Sequence, residues 1–534
     1  MNTSRSLIFS SLFLIILAGI FLRFYNIEEV YTEYDDVGVV ALHHSLFSDD
    51  RQVVKYDDGI LKANIKVSSQ GLKEGLLDSF WYPVYLGHTW TYPIGQYLFY
   101  PVVINEDDSY SEKVRKSRYF SAFFSSLSLP LLLYLLFIVN GRVFSVQMLF
   151  PIAILAFSYN SVLYAHHASP YSVTVTTFIL SLIWFVHHLR GRINPTNFYL
   201  LHGVLFLFNY LILLSLPLYF AVYLIKNKLQ SIANIIQLFY KGFALFLVIA
   251  IPISVVFLKP LNGLRGVNPP DDFSLQSLMY FPEQFVTSVA SSIVGLVTDI
   301  NFTILFVGII FIVSIILFFY KKNQKTEFYL ILFIFLLTFE WMFLHSMEKI
   351  VMDQTRHMLM WTPIVALLLF FILKPIKLAK NLIVVVVMVM SGLSVQSNIS
   401  LIQSKSSNFD FELIKSYDVK NIFTYSFTLS PLISFPDKNV YNIDVNSFNR
   451  DVFSDVLPNK GLLVSQWRDI NTYLSGEVTV FTKEFLDNYD IVSVVENHTN
   501  IYFPYNNYPV SSGENGFYLY QMTLKPGLLV ETMD

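Results

Sequence analysis

Glu33-Tyr34-Asp35-Asp36 follows closely on an apolar run that ends in Leu22-Arg23-Phe24, and Glu28 and Glu29 come just before it. Adjacent carboxylates at the mouth of a membrane cavity suit two jobs. One takes a proton from an acceptor hydroxyl as general base, and the other holds a divalent cation that bridges to phosphate. On spacing alone, a solvated acidic loop accounts for the same residues. A second group is Tyr164-Ala165-His166-His167-Ala168-Ser169-Pro170-Tyr171. Its two histidines could bind phosphate, ligate a metal or relay protons. Neighbouring histidines point different ways, so at most one of them faces a site, and interfacial anchoring at headgroup depth explains the pattern about as well. The third is Arg356-His357, which follows the polar stretch His345-Ser-Met-Glu348-Lys349. A guanidinium there can clamp phosphate with its planar fork, or it can snorkel from a span end. Glu340 sits inside an apolar run, where a carboxylate is costly and usually faces a cavity or a partner.

The elements that carry these groups are membrane helices. Of the 534 residues 54% are hydrophobic and only 14% charged, with 50 Phe and 33 Tyr, so a soluble core cannot absorb the apolar surface. Mean hydropathy is +0.51. A net charge of -3 gives no sign of nucleic-acid binding, and the absence of cysteine excludes disulfides, thiolate catalysis and Cys-ligated metals. Spanning runs are expected near 6–24, 117–139, 144–165, 171–189, 236–258, 301–320, 327–345, 357–373 and 380–397. The stretch 198–225 is too long for one span and is broken at Asn209-Tyr210 and Ser215-Leu216-Pro217, so it reads as two short helices. The expectation is about eleven spans, the first an uncleaved one.

With Arg5 and the N-terminus in the cytoplasm, Arg142, Arg190, Arg192, Lys226, Lys228, Lys321, Lys322, Lys325, Lys374, Lys377 and Lys380 all fall on the cytoplasmic side. The opposite side receives 25–116, 165–170, 259–300, 345–356 and the C-terminal region, provided that 84–104 lies in the interface and does not span. The expected fold class is therefore a polytopic α-helical membrane protein. Residues 1–397 form the transmembrane domain, with a long first extracytoplasmic loop over 25–116. Residues 398–534 alternate β-type runs with polar stretches and read as a small extracytoplasmic α/β domain. P-loop, dinucleotide-binding, HExxH and nucleophile-elbow sequences are absent, so the energy for chemistry outside the cytoplasm would arrive with an activated lipid substrate.

Taken in order, these motifs resemble the GT-C superfamily of membrane glycosyltransferases. The nearest pattern is that of the protein O-mannosyltransferase and lipid A aminoarabinose transferase group, which is glycosyltransferase family 39-like. Glu33-Tyr34-Asp35-Asp36-Val37 is similar to the family's Trp-Tyr-Asp-Glu-Ala motif after the first span. Thr91-Tyr92-Pro93-Ile94-Gly95-Gln96-Tyr97, with His88 nearby, is loosely similar to its His-Pro-Pro-Leu-Tyr-Tyr segment. Ser117-Arg118-Tyr119-Phe120-Ser121-Ala122-Phe123 resembles the opening of the second span. Tyr164 to Tyr171 is similar to Tyr-Ser-Gln-Glu-Ala-Arg-Pro-Tyr, with His167 in place of Glu and Ser169 in place of Arg. Arg356-His357-Met358-Leu359-Met360 resembles a late Arg-Tyr-Leu-Leu-Pro motif.

The resemblance implies a polyprenyl-phosphate sugar donor and a glycan, lipid or protein acceptor of the cell envelope. It implies inverting transfer at the outer face of a bacterial inner (plasma) membrane. Asp35 and Asp36 would be catalytic, and either or both would hold any divalent cation. His88, Tyr92, His166, His167, Tyr171 and Arg356 would bind substrate. The 259–300 segment and the C-terminal domain would cover the cavity. Two other readings stay open: a transporter or flippase of lipid-linked glycans, and an inactive GT-C-like scaffold.

Overall fold

The structure is a computed structural model. It describes residues 3–28, 51–57, 60–67, 110–168, 171–209, 211–227, 275–296, 299–320, 325–346, 358–376, 379–405, 417–424, 439–442, 459–465, 488–497 and 517–525. Helix α1 is Thr3–Phe24. The hairpin of β1 (Arg51–Asp57) and β2 (Ile60–Val67) comes before α2 (Tyr110–Val139). Then come α3 (Leu149–Phe157), α4 (Tyr159–Leu163), α5 (Tyr171–Leu189), α6 (Pro195–Phe206) and α7 (Ile212–Asn227). The series continues with α8 (Leu275–Ile293), α9 (Ile300–Tyr320), α10 (Lys325–Ser346), α11 (Trp361–Leu373) and α12 (Lys380–Lys405). Strands β3 (Asn421–Thr424), β4 (Asn439–Asn442), β5 (Lys460–Ser465), β6 (Tyr489–Asn497) and β7 (Phe517–Leu524) follow.

Six of the described helices are long and apolar enough to cross a membrane, and a seventh crossing results if the bent pair Val146–Phe157 plus Tyr159–His166 is one span. The expected runs at 6–24, 117–139, 171–189, 301–320, 327–345 and 380–397 all fall on these six helices. The run at 236–258 lies outside the described residues, and α11, at 13 residues, is shorter than a typical span. Helix α9 shows the solvent these helices need. Phe302, Leu305, Ile309, Ile312, Ile316 and Phe319 repeat every three or four residues and are 50–74% exposed. Such a stripe is tolerated against lipid tails and would aggregate in water.

Two expectations change. The 198–225 stretch does split, at Asn209, whose side-chain amide donates to Thr174 O and whose carbonyl oxygen accepts from Leu211 N–H. Pro217, however, is carried inside α7 and breaks nothing. The 259–300 segment, read as an outer loop, contains helix α8, which packs against α4, α9, α10 and α11 inside the helical body. Its buried Ser288, Ser291 and Ser292 allow that close approach. Polar side chains join other helices in the same way. Ser181 Oγ on α5 lies 2.8 Å from both His202 Nε2 on α6 and the Tyr219 hydroxyl on α7, and Lys374 Nζ pairs with Glu327 Oε1 at 2.6 Å.

The strands form one sheet in the order β1-β2-β4-β3-β5-β7-β6, with β3 parallel to β4 and β5 and the remaining pairs antiparallel. Gly461 is needed in β5 because a Cβ there would sit 2.0 Å from the Phe423 ring. The sequence treats the first loop and the C-terminal region as separate. The sheet joins them through Leu61 and Val440. Strands that pair in this way share one aqueous side, so an even number of crossings separates 51–67 from 421–524. Together with the Lys/Arg bias, this makes a clear expectation. Cysteines placed at Ser111 and Ser465 in the cysteine-free chain should both label with an impermeant maleimide from outside. Labelling of either one only after permeabilisation would reverse the orientation.

Candidate active site

The site is assembled around a break. Helix α3 stops at Phe157, and Ser158 (φ -55°, ψ 122°) turns the chain by 53° into α4. A break inside a membrane helix frees carbonyls that lipid cannot satisfy. Here each has a partner. Arg23, fully buried on α1, donates through Nη2 to Leu155 O (2.9 Å) and through Nη1 to Ala156 O (3.0 Å) and Gly19 O (2.8 Å). Its Nε donates to Ser125 Oγ on α2 (2.8 Å). Asn398 Nδ2 on α12 donates to Phe157 O at 3.1 Å. Ser158 Oγ accepts from Ser161 N–H and donates to Ser292 O at 2.6 Å, and Tyr159 N–H donates to Val294 O at 2.8 Å. Gly295, at φ +150°, lets α8 approach this far, because a Cβ would stand 2.0 Å from Phe157 O.

The break brings Tyr164–Ala168 to the end of α1. His166 is fully buried, with Nδ1 2.8 Å from Val162 O and Nε2 2.9 Å from Tyr25 O. Carbonyl oxygens only accept, so a neutral ring donates to one of them and a doubly protonated ring to both. Arg118 Nη1 donates to Ile27 O at 3.2 Å. Glu28 Oε1 accepts from the Tyr119 hydroxyl at 3.0 Å and lies 3.6 Å from Arg115 Nη1. Backbone and side chain of Tyr25–Glu28 are thus held by α2 and the α4 turn, which fixes the root of the chain leading to Asp35.

The expected site residues divide as follows. Asp35, Asp36, His88, Tyr92 and Arg356 lie outside the described residues. His166, His167 and Tyr171 are described, and the two histidines do different things. His166 bonds backbone carbonyls. His167 is buried with its ring 6.2 Å from Tyr164, which in turn meets Tyr171 edge-on at 5.4 Å. Helix α10 ends at Ser346, and Met358–Trp361, the first described residues that follow Arg356 in sequence, are all buried. Trp361 meets Trp341 at 5.6 Å and Phe285 of α8 at 4.7 Å, both edge-to-face. Helix α8 therefore links Trp361 to the Ser158 break. Sequence reading passed over Arg23, Asn398 and Gly295; a lone Arg within an apolar run was the one available signal. Among the described residues no group of three or more His, Asp or Glu could hold a metal.

No protein-family model matches the chain, and no curated sequence matches it. Solved structures do match. ArnT from Cupriavidus metallidurans bound to undecaprenyl phosphate aligns with a TM-score of 0.54 at 10% identity, over 97% of this chain and 99% of that one. The apo state of the same protein gives 0.52 at 10% identity, over 95% and 97%. This integral membrane protein is thus similar in fold to ArnT over nearly the whole length of both chains.

Proposed function

We propose that the protein transfers a sugar from a polyprenyl-phosphate donor to a cell-envelope glycan, lipid or protein acceptor at the outer face of the membrane. What supports this reading is the likeness in fold, over 97% of the chain, to ArnT solved with undecaprenyl phosphate bound, together with the resemblance of the chain's motifs to those of GT-C enzymes. In the proposed reaction the acceptor oxygen bonds to the anomeric carbon as the bond from that carbon to the phosphate oxygen breaks, with inversion. Asp35 takes the acceptor proton, and polyprenyl phosphate leaves with the electron pair. Arg356 holds the phosphate and offsets its growing charge. Asp36 orients Asp35; were a divalent cation bound, Asp35 and Asp36 would hold it and it would offset phosphate charge. Tyr92, His88, His167 and Tyr171 line the donor, and His166 holds the segment that carries Asp35.

The deciding experiment incubates the purified full-length protein with labelled polyprenyl-phosphate hexoses and envelope acceptors. Label should move to the acceptor as polyprenyl phosphate is released. A second reading, transport of the lipid-linked glycan, draws on Glu340, whose Oε2 is buried in α10 with no hydrogen-bond partner among the described residues. Movement of intact donor across proteoliposomes without label transfer would favour it.

Arg356→Ala should chiefly weaken apparent donor affinity, because a phosphate clamp acts in ground and transition states alike. A charge-assisted hydrogen bond is worth about 1.5–3 kcal/mol, so the loss should be roughly 10–150-fold. Lys should rescue only in part, since it lacks the bidentate fork. Unchanged donor affinity in Arg356→Ala would leave the residue a snorkelling span-end arginine.

A further inference from the structure

Helices α2 and α5 end in the same way. After α2 comes Asn140-Gly141-Arg142, and after α5 comes Arg190-Gly191-Arg192. Gly141 N–H donates to Ile138 O and Arg142 N–H to Phe137 O; Gly191 N–H donates to His188 O and Arg192 N–H to His187 O. Both glycines are left-handed, at φ +71° and +70°. This is the Schellman ending, used twice with an arginine at the same place. Arg142 itself is also left-handed, at φ +67°, a conformation that a residue with a Cβ adopts only at a cost.

The two helices pack along each other, so the turns are neighbours. Arg190 Nη1 donates to Ile138 O at 2.8 Å, and the Tyr134 hydroxyl of α2 lies 3.3 Å from His187 Nε2 of α5. Arg142, Arg190 and Arg192 all act electrostatically on His187, and Arg192 and Arg142 act on Arg190. Burial first, and then these two neighbours, push the Arg190 pKa below its ordinary value. Among the described residues no carboxylate pairs with any of the three. Like charges so placed repel, and the arrangement is stabilised by an anion between them. Its flanks are apolar. Val143 and Phe144 are exposed beside Arg142, Phe144 rests on Phe137 at 4.7 Å and on Phe9 of α1 at 5.9 Å, and Tyr134 is exposed on α2. An exposed tyrosine beside apolar side chains marks the headgroup level of a bilayer. The guanidiniums therefore stand where phosphates stand, with acyl-chain surface beneath them.

We infer that the paired Gly-Arg turns at the ends of α2 and α5 bind the phosphate headgroup of an anionic phospholipid in the leaflet they border. The guanidinium forks match phosphate oxygens, and the exposed Val143, Phe144 and Tyr134 surface takes the acyl chains. A soluble anion would use the forks and leave that surface idle.

The test delipidates the full-length protein in neutral detergent and titrates it with phosphatidylglycerol and with phosphatidylcholine of the same acyl chains, counting bound lipid by native mass spectrometry. Phosphatidylglycerol should bind preferentially. Arg142→Asn tolerates the left-handed backbone, and Arg192 is exposed with no side-chain hydrogen bond among the described residues, so the combination with Arg192→Gln should fold normally. At about fivefold per arginine, the double variant should lose roughly 25-fold in phosphatidylglycerol affinity, with phosphatidylcholine binding unmoved. Lys380→Gln, which removes an exposed charge at the start of α12, should change little. The inference is overturned by equal affinity for the two lipids, or by a double variant that binds as wild type. It is equally overturned by a loss in Lys380→Gln as large as in the double variant, or by displacement of the lipid with equimolar inorganic phosphate.

Discussion

Gly295→Ala should unfold the protein well below the temperature at which wild type unfolds, although it adds a single methyl group. That methyl would meet Phe157 O at 2.0 Å, Tyr159 N at 2.8 Å and Phe157 C at 2.9 Å. All three are backbone atoms, so no rotamer change relieves the clash. The φ of +150° is also nearly closed to residues with a Cβ, at a cost of about 1–3 kcal/mol. To make room, α8 must withdraw from the break. The bonds from Tyr159 N–H to Val294 O and from Ser158 Oγ to Ser292 O then open, and each orphaned buried group costs about 1–3 kcal/mol. Loss of both bonds together with the strain gives roughly 3–9 kcal/mol. Gly308→Ala is the matched control. It lies within α9 with nothing within 4 Å of its Cβ position, and should be neutral or slightly stabilising. Thermal unfolding in detergent, followed by tryptophan fluorescence, measures both. Equal midpoints for Gly295→Ala and wild type would mean that α8 is not docked on the break.

Asp35→Asn should lower single-turnover sugar transfer by about 10²–10⁴-fold, the usual contribution of a positioned general base. An acceptor hydroxyl is a weak nucleophile until its proton is being removed, and no histidine lies within Glu33–Asp36 to take it; His43 and His44 are the nearest along the chain. Asparagine keeps shape and hydrogen bonding while removing the charge and the basic lone pair. Expression, membrane insertion and donor affinity should stay near wild type, which separates this variant from Arg356→Ala, whose loss is in donor affinity. Asp36→Asn should be milder. Asp35→Glu should not restore the full rate, because the extra methylene moves the base beyond the tolerance of a near-attack geometry. The rate is measured on purified variants with donor in excess. Wild-type turnover in Asp35→Asn would remove the general-base role.

The sequence by itself determined where most helices run. In lipid every backbone group must be satisfied within its own segment, so an apolar run of spanning length becomes a helix whatever its neighbours do. The run at 171–189 coincides with Tyr171–Leu189, and that at 301–320 matches Ile300–Tyr320 within a residue. Of the four short β-type runs in 398–534, Gly461–Ser465, Ile491–Val495 and Gly516–Tyr520 each fall on or beside a strand of the sheet, for a similar local reason, and Val478–Phe481 lies outside the described residues. The motif order that pointed to Asp35 and Arg356 was likewise readable one segment at a time.

Only the tertiary structure decided the break at Ser158. The local sequence Ala156-Phe157-Ser158-Tyr159 holds no proline or glycine, and the run 144–165 reads as one span. The carbonyls freed there are satisfied by Arg23, from more than a hundred residues earlier, and by Asn398, from more than two hundred later. Helix α8 was hidden in the same way, because serines and a glycine that look like loop residues serve as close-packing surface once a partner helix is present. The pairing of the first-loop hairpin with the C-terminal strands, and His166 holding Tyr25, are again contacts between distant segments. Periodicity reports what a segment must bury; it does not report which distant donor will meet a carbonyl that the segment leaves open.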